Sequence, residues 1–220
     1  MLNFLYIDEV IIVLDKPAGL SVLPDGWEPG SPYLVKILES SHGKIWVVHR
    51  LDKITSGVMV FARTAEAHRH LNRQFEKHTI EKIYHAIVNG NPHWNTYTTR
   101  LPLRANVGHK HRTVVDKRLG KPAITHLRVL QRFTSHCLIE GSLETGRTHQ
   151  VRVHAAALGY PILGDTLYGA PEAAIIHRPA LHAHSIAFTH PVSDERLTFS
   201  VPYPSDLRSA ISSFIADGAA

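Results

Sequence analysis

A single carboxylate set in a break between two apolar runs is the first place in this chain to look for chemistry. The stretch His49-Arg50-Leu51-Asp52-Lys53-Ile54-Thr55-Ser56-Gly57 follows Ile45-Trp46-Val47-Val48 and precedes Val58-Met59-Val60-Phe61-Ala62. It gathers one acid, two cations, two hydroxyls and a glycine. Polar groups between two buried strands are costly unless they are paired or used. Asp52 therefore has two readings. It is a structural carboxylate, paired with Arg50 or closing a turn through Thr55 and Ser56, or it is a positioned acid, base or nucleophile.

Three further constellations carry polar groups at unusual density. In Gly146-Arg147-Thr148-His149-Gln150-Val151-Arg152-Val153-His154 a glycine and a cation lead into a helix start, a place that favours a phosphate or a carboxylate. The plain alternative is a capped helix with exposed arginines. In Glu81 to Gly90, alternation puts Tyr84, Ala86 and Val88 on one strand face, where a tyrosine serves either the core or a site. Gly159 to Gly169 holds three glycines and a proline around Ile162 and Leu163, and reads as a structural loop. The histidine pairs His109/His111, His149/His154 and His182/His184 raise the question of zinc. None sits beside a carboxylate at a helical ligand spacing, and Cys137 is the lone cysteine, so no metal is expected. There is no glycine-rich phosphate loop or dinucleotide fingerprint and no Gly-x-Ser-x-Gly elbow.

Composition narrows the classes. With 220 residues, 44% of them hydrophobic, the chain suits one generous domain or two small ones. One cysteine rules out an internal disulfide. The N-terminus lacks the basic region and cleavage site of a signal peptide, and no apolar run approaches the roughly 20 residues that span a bilayer. A cytoplasmic protein with no membrane association is expected. The net charge of +5 is concentrated. Residues 100–121 hold seven basic residues (Arg100, Arg104, Lys110, Arg112, Lys117, Arg118, Lys121) against Asp116, a balance of +6. Such a segment is either a solvated basic loop or a surface for a polyanion.

The elements follow from periodicity and punctuation. Val10–Leu14 reads as a buried strand ending in a turn at 15–19, with a loop over 24–30. Ser31-Pro32 predicts a helix start, with Leu34, Ile37 and Leu38 on its buried face. Strands flank the Asp52 cluster. Thr64 predicts a capped helix to about His78, with Leu71 and Phe75 one turn apart. Further strands are expected at 83–88, 123–130, 136–143, 184–189 and 196–201. Thr148 predicts a capped helix ending at Gly159. A final helix after Ser205 places Leu207, Ile211, Phe214 and Ile215 on one stripe, with a frayed tail at 217–220. Strands outnumber helices without alternating with them, which points to α+β with a central mixed, mostly antiparallel sheet flanked by helices and loops.

Taken in order, the segments resemble the RluA-type RNA pseudouridine synthases. The blocks are Leu14-Asp15-Lys16-Pro17-Ala18-Gly19-Leu20, His49-Arg50-Leu51-Asp52 with Thr55-Ser56-Gly57, Lys82-x-Tyr84-x-Ala86-x-Val88-x-Gly90 and Gly120-Lys121-Pro122-Ala123-x-Thr125. They continue with Gly146 to His154, Gly159-x-Pro161-Ile162-Leu163-Gly164-Asp165 and Tyr168-Gly169. The resemblance covers nearly the whole chain and implies the pseudouridine synthase fold. It also implies a cofactor-free isomerisation of uridine, in which the base is detached, turned and rejoined through carbon 5. Asp52 is then the essential catalytic carboxylate, with attack on the sugar, attack on the base and removal of a ribose proton all open to it. Arg147 becomes the cation paired with Asp52, and Tyr84 the residue that stacks on the uracil. Val151 becomes an apolar wall beside the base, where the family more often has a longer aliphatic residue. Arg50, Lys53, Arg112 and Lys117 become RNA contacts, supporting the strand from which the uridine is turned out.

The resemblance is to short members that lack an N-terminal S4 RNA-binding domain. It leads to the expectation of one catalytic domain over 1–220, acting as a monomer on a stem-loop of transfer or ribosomal RNA. The competing reading is an RNA-binding protein of the same fold without catalysis. Against it stands the joint presence of Asp52, Tyr84 and Arg147, which a binder does not need as a set. In this resemblance Thr55 to Gly57 form the turn that holds the carboxylate.

Overall fold

The computed structural model describes residues 2–26, 28–108 and 111–218. Trp27 of the 24–30 loop, His109 and Lys110 of the cationic segment and the last two alanines lie outside the described residues. In chain order the first half holds β1 (Asn3–Ile7), β2 (Ile11–Lys16), α1 (Leu34–His42), β3 (Trp46–Val47), β4 (Ser56–Ala62), α2 (Ala65–Glu76) and β5 (Glu81–Asn89). There follow β6 (Thr96–Thr99), β7 (Leu103–Val107), β8 (Arg112–Val115), β9 (Thr125–Arg132), β10 (His136–Leu143), α3 (Gln150–Ala157), β11 (Leu181–Thr189), β12 (Arg196–Ser200) and α4 (Ser205–Gly218). The chain forms two compact units, one of residues 1–82 and 183–202, the other of residues 83–182 and 203–220. Strands and helices do not alternate, so the α+β expectation holds.

In the first unit β1 pairs antiparallel with β2, and β2 with β4, Ile11 lying opposite Ala62 and Lys16 opposite Gly57. β3 adds to β4, and β11 to β12, again antiparallel. Every residue of β4 is buried, and its apolar run Val58–Ala62 suits a strand covered on both faces. The core gathers Ile11, Val13, Val58, Val60, Leu71 and Phe188. α2 starts as predicted, the Thr64 hydroxyl accepting from Ala67 N–H at 3.1 Å. Its buried Gln74 acts like a strand edge: its amide donates to Thr189 O at 2.7 Å and accepts from Thr189 N–H at 2.8 Å.

α1 departs from expectation. Its N-cap is Tyr33 and no side chain caps it. Leu34 and Val35 N–H donate instead to Ser21 and Val22 carbonyls, at 2.8 and 3.2 Å, so the orphan donors are met by backbone. Ser31 is held away from the helix, its hydroxyl on Glu28. Val35, not Ile37, joins Leu34 and Leu38 on the buried face, and Ile37 is exposed.

In the second unit β5, β10, β9 and β6 pair in that order, each pairing antiparallel. Ile87, Val88, Ile139, Ile162 and Leu207 lie in its core, with Ile211 and Phe214 packed on it. Ile215 is exposed, so the stripe of α4 is narrower than its sequence suggests. The cationic segment is not a loop: β7 and β8 make a two-stranded hairpin.

Gly57 shows how tightly the first unit is closed. Its φ is +125°, and a Cβ there would lie 2.2 Å from the Ala183 carbonyl oxygen. Gly57→Ala is expected to destabilise the protein by about 3 kcal/mol or more, from backbone strain plus overpacking. Gly26→Ala, with nothing within 4 Å, is expected to be near neutral. Urea unfolding midpoints of the two variants check this.

Candidate active site

Asp52 is half-buried and sits just before β4. Its carbonyl accepts from Thr55 N–H at 3.0 Å, which closes a turn over 52–55. Ser56 and Gly57 already belong to β4, so the turn lies earlier than the Thr55–Gly57 expectation. The loop is held by Lys16, whose side chain has no exposure. Its Nζ donates to the carbonyls of Pro17 (2.8 Å), Leu20 (2.9 Å) and Lys53 (3.2 Å). The Lys53 carbonyl also accepts from Gly19 N–H at 2.8 Å, with Gly19 at a φ of +87°. The residue after Asp52 is thereby fixed twice through its backbone. The Lys53 side chain turns to Asp25 (3.2 Å) and Glu28 (2.7 Å), and its ammonium holds the Glu28 carboxyl below the ordinary range. Arg50 is exposed.

His49 anchors the other end of the loop. Its Nε2 accepts from Val60 N–H at 3.1 Å, and its ring stacks on Phe75 with centroids 5.0 Å apart. A ring nitrogen that accepts a backbone N–H must be unprotonated, so His49 is neutral with its proton on Nδ1. Desolvation, then the nearby Lys82 ammonium, lower its pKa to about 3. Part of the residue reaches the surface, but the titrating nitrogen is the shielded end.

In the second unit Arg147 lies in the loop before α3. Its Nε donates to Pro122 O at 2.9 Å, and its own N–H donates to the Gln150 side-chain oxygen at 3.0 Å. Gln150 is buried. Its oxygen also accepts from the Thr145 hydroxyl at 2.8 Å, and its amide donates to Ile124 O at 2.9 Å. The expected Thr148 cap is absent: the N-cap is His149, at a left-handed φ of 55°, without a side-chain bond. The buried glutamine does the organising in its place. Val151, next along α3, is buried and leans over Gly141, to which a Cβ would add a contact 3.8 Å from its Cγ1. Gly141 lies opposite Tyr84 in the β5/β10 pairing. The structure thus brings Tyr84, Gly141 and Val151 together, with Tyr84 packed against the core that contains Val151. Arg112 and Lys117 are exposed, on β8 and just after it.

Among the described residues no group of three or more His, Cys, Asp or Glu side chains is placed to hold a metal, and no helix is long and apolar enough to cross a membrane. The RNA pseudouridylate synthase family model matches residues 10–157. The chain belongs to the RNA pseudouridylate synthase family. Within this family it is 39% identical over 223 residues to the ribosomal large subunit pseudouridine synthase D of Neisseria meningitidis serogroup B, covering 94% of this chain and 59% of that protein. It is 39% identical over 236 residues to the enzyme of the same name from Xanthomonas campestris, covering 99% of this chain and 71% of that protein. The chain spans about three fifths of the length of the Neisseria relative. Among solved structures it is similar to human RNA pseudouridylate synthase domain containing 4, with a TM-score of 0.78 and 25% identity over 97% of this chain and 93% of the other. The α+β architecture is therefore the pseudouridine synthase fold.

Sequence reasoning missed the groups that hold the family's segments in place: Lys16, Gln150, and the ion pair of Arg152 with Asp165. Lys16 follows the apolar run Ile11 to Leu14, which is buried on both faces, so no alternation along β2 marks its side chain as an inward one. The ion pair joins residues 13 apart on different elements, which no local pattern reports.

Two histidines with shielded ring nitrogens, His49 and the buried His154, fix an acid limit. His154 has no exposure, with Nδ1 2.8 Å from the Thr125 hydroxyl and Nε2 2.9 Å from Leu101 O, and burial lowers its pKa. Both His49 and His154 titrate lower folded than unfolded, so the unfolded chain binds more protons as pH falls below about 6.5. Stability is expected to fall with pH in this window, at up to about 1.4 kcal/mol per pH unit from His49 alone, continuing toward pH 3. Urea unfolding between pH 7 and 4.5, compared with His49→Gln, checks this: the variant should show the shallower slope.

Proposed function

We propose that this protein is an RNA pseudouridine synthase, which isomerises specific uridines of transfer or ribosomal RNA with Asp52 as the essential carboxylate. The observation that carries the reading is the loop of Asp52. In a chain matched by the family model across residues 10–157, the backbone at this acid and just after it is tied down, by Thr55 N–H on Asp52 O and by Lys16 and Gly19 on Lys53 O. A reacting carboxylate must be ionised and held within a fraction of an ångström of its target, and such a clamp supplies the second condition.

The remaining roles follow the family motif residue by residue. Arg147 is the cation that favours an ionised catalytic carboxylate, since a nearby positive charge opposes protonation on desolvation. Tyr84 stacks on the uracil once it has left the helix, and Val151 forms the apolar wall of the base site. Removing the base from its stack costs a few kcal/mol, which stacking and phosphate contacts offset. Arg50, Lys53, Arg112 and Lys117 supply those contacts. The hairpin of β7 and β8 provides an RNA grip within residues 1–220, so these residues act as one catalytic domain on a folded stem-loop.

Asp52→Asn keeps the side-chain volume and removes the charge. It is expected to abolish tritium release from transcripts of large-subunit ribosomal RNA or tRNA labelled at uracil carbon 5, while RNA binding stays within about twofold of the parent. Undiminished release would remove Asp52 from the reaction. Replacing Arg112 and Lys117 together by glutamine is expected to weaken RNA binding and reduce the slope of log K against log salt by about one to two. An unchanged slope in filter-binding titrations would take both residues out of the interface.

A further inference from the structure

Tyr168 joins two parts of the second unit that the family reading uses separately. Its hydroxyl accepts from the Thr113 backbone N–H of β8 at 3.0 Å. The same hydroxyl lies 2.7 Å from Nδ1 of His149. Thr113 follows Arg112 on the basic hairpin. His149 lies two residues after Arg147 and is the left-handed residue that turns the loop into α3. A phenol has one proton and two lone pairs. Accepting from Thr113 leaves the phenol a proton and a second lone pair, so it bonds His149 Nδ1 in either tautomer and one oxygen serves both neighbours. Burial raises its pKa, which keeps that proton in place at neutral pH.

The ring itself is held in a socket. The Arg152 guanidinium lies 5.0 Å from the ring centroid. Arg152 is bidentate to Asp165, at 2.7 and 2.8 Å, and the two side chains are 3% and 1% exposed. Tyr168 N–H donates to Asp165 O at 3.0 Å, which closes the turn that carries the ring. Thr113, in turn, faces the bulged part of β7, where the pairing of β7 and β8 skips from Arg104/Val114 to Val107/Arg112. The hydrogen bond from Thr113 to Tyr168 therefore stands where the hairpin's own ladder is interrupted.

We propose that the Tyr168 hydroxyl is a positioning group that ties the basic hairpin to the Arg147 loop, so that RNA held by the hairpin is set in register with the reacting groups. This rests on the reading of the protein as an RNA pseudouridine synthase. Tyr168 touches neither substrate nor reacting atoms in this role and acts through Thr113 and His149.

The test is Tyr168→Phe, which keeps the ring, its packing and the Arg152 contact and removes only the hydroxyl. Two readouts are taken on the full chain: amide hydrogen exchange by NMR at Thr113 and at residues 147–150, and kcat and KM for tritium release from the labelled ribosomal and transfer RNA transcripts. Loss of one buried hydrogen-bond partner is expected to speed exchange at these amides by about tenfold and to lower kcat by about tenfold. KM and the salt slope of binding are expected to stay close to the parent, because the cations of the hairpin remain. Parent-like exchange at Thr113 overturns the junction. Faster exchange with an unchanged kcat overturns its role in the reaction. If the parent protein releases no tritium from either RNA, the synthase reading fails instead, and the joint response of Thr113 and residues 147–150 still decides whether the hydroxyl ties the two segments.

Discussion

The ammonium of Lys16 is buried away from bulk solvent, and the loops around it are arranged to meet it with backbone oxygens. Desolvating a charged amine costs several kcal/mol unless each of its donors meets an oxygen. Strand carbonyls cannot serve, because the ladders on either side use them. The acceptors are the carbonyls of Pro17, Leu20 and Lys53, all in irregular backbone. Turning those carbonyls inward requires the left-handed Gly19 and the tight turn from Asp52 to Thr55. Across the β2/β4 pairing, Lys16 lies opposite Gly57, where the chain is too crowded for any side chain. The position of Asp52 is thus set by the requirement to solvate a neighbouring lysine with backbone.

The second unit solves a similar problem with different groups. Arg152 and Asp165 are both almost fully buried, and removing either partner would leave an unpaired charge, at about 3–5 kcal/mol. Their pairing fixes α3 to the turn that holds Tyr168. Gln150, two residues earlier, satisfies the Thr145 hydroxyl, the Arg147 N–H and the Ile124 carbonyl together. In each unit a buried polar group that must be satisfied holds a loop. The loops held in this way carry Asp52 and Arg147, the side chains proposed for chemistry. Precision in these loops comes from desolvation penalties rather than from regular secondary structure.

This division explains what could be read from the chain. Strands such as β4, β5 and β10 and the Thr64 cap were legible because their signals are local: an apolar run, an alternation, a hydroxyl before a helix. The helix starts at Leu34 and Gln150 were misplaced because serine and threonine at 31 and 148 suit a cap, whereas tertiary partners supplied the bonds. Ser21 and Val22 carbonyls serve α1, and the buried Gln150 side chain serves the α3 loop. The β7/β8 hairpin was hidden because its basic residues read as a solvated loop. The motif residues themselves were visible as an ordered set of blocks, but nothing in one sequence says that Lys16 holds Asp52 or that Gln150 holds Arg147.

Charge shows the same gap between composition and structure. The +6 balance of residues 100–121 treats every cation alike. In the fold, Arg104 lies 2.8 Å from Asp116, whose other oxygen accepts from the N–H groups of Arg118 and Leu119. That lone acid both caps the turn after β8 and holds one cation against the hairpin. Lys53 is drawn to Asp25 and Glu28 in the same way. Among the cations proposed to grip RNA, Lys53 therefore contributes least: a phosphate must draw it from two carboxylates that themselves repel the phosphate. Arg112 and Lys117 project into solvent, and Arg112 stands one residue from the Thr113 to Tyr168 hydrogen bond. A cation on a pinned strand loses less freedom on meeting a polyanion than one on a free loop, so order in the hairpin converts a diffuse charge into a directional one.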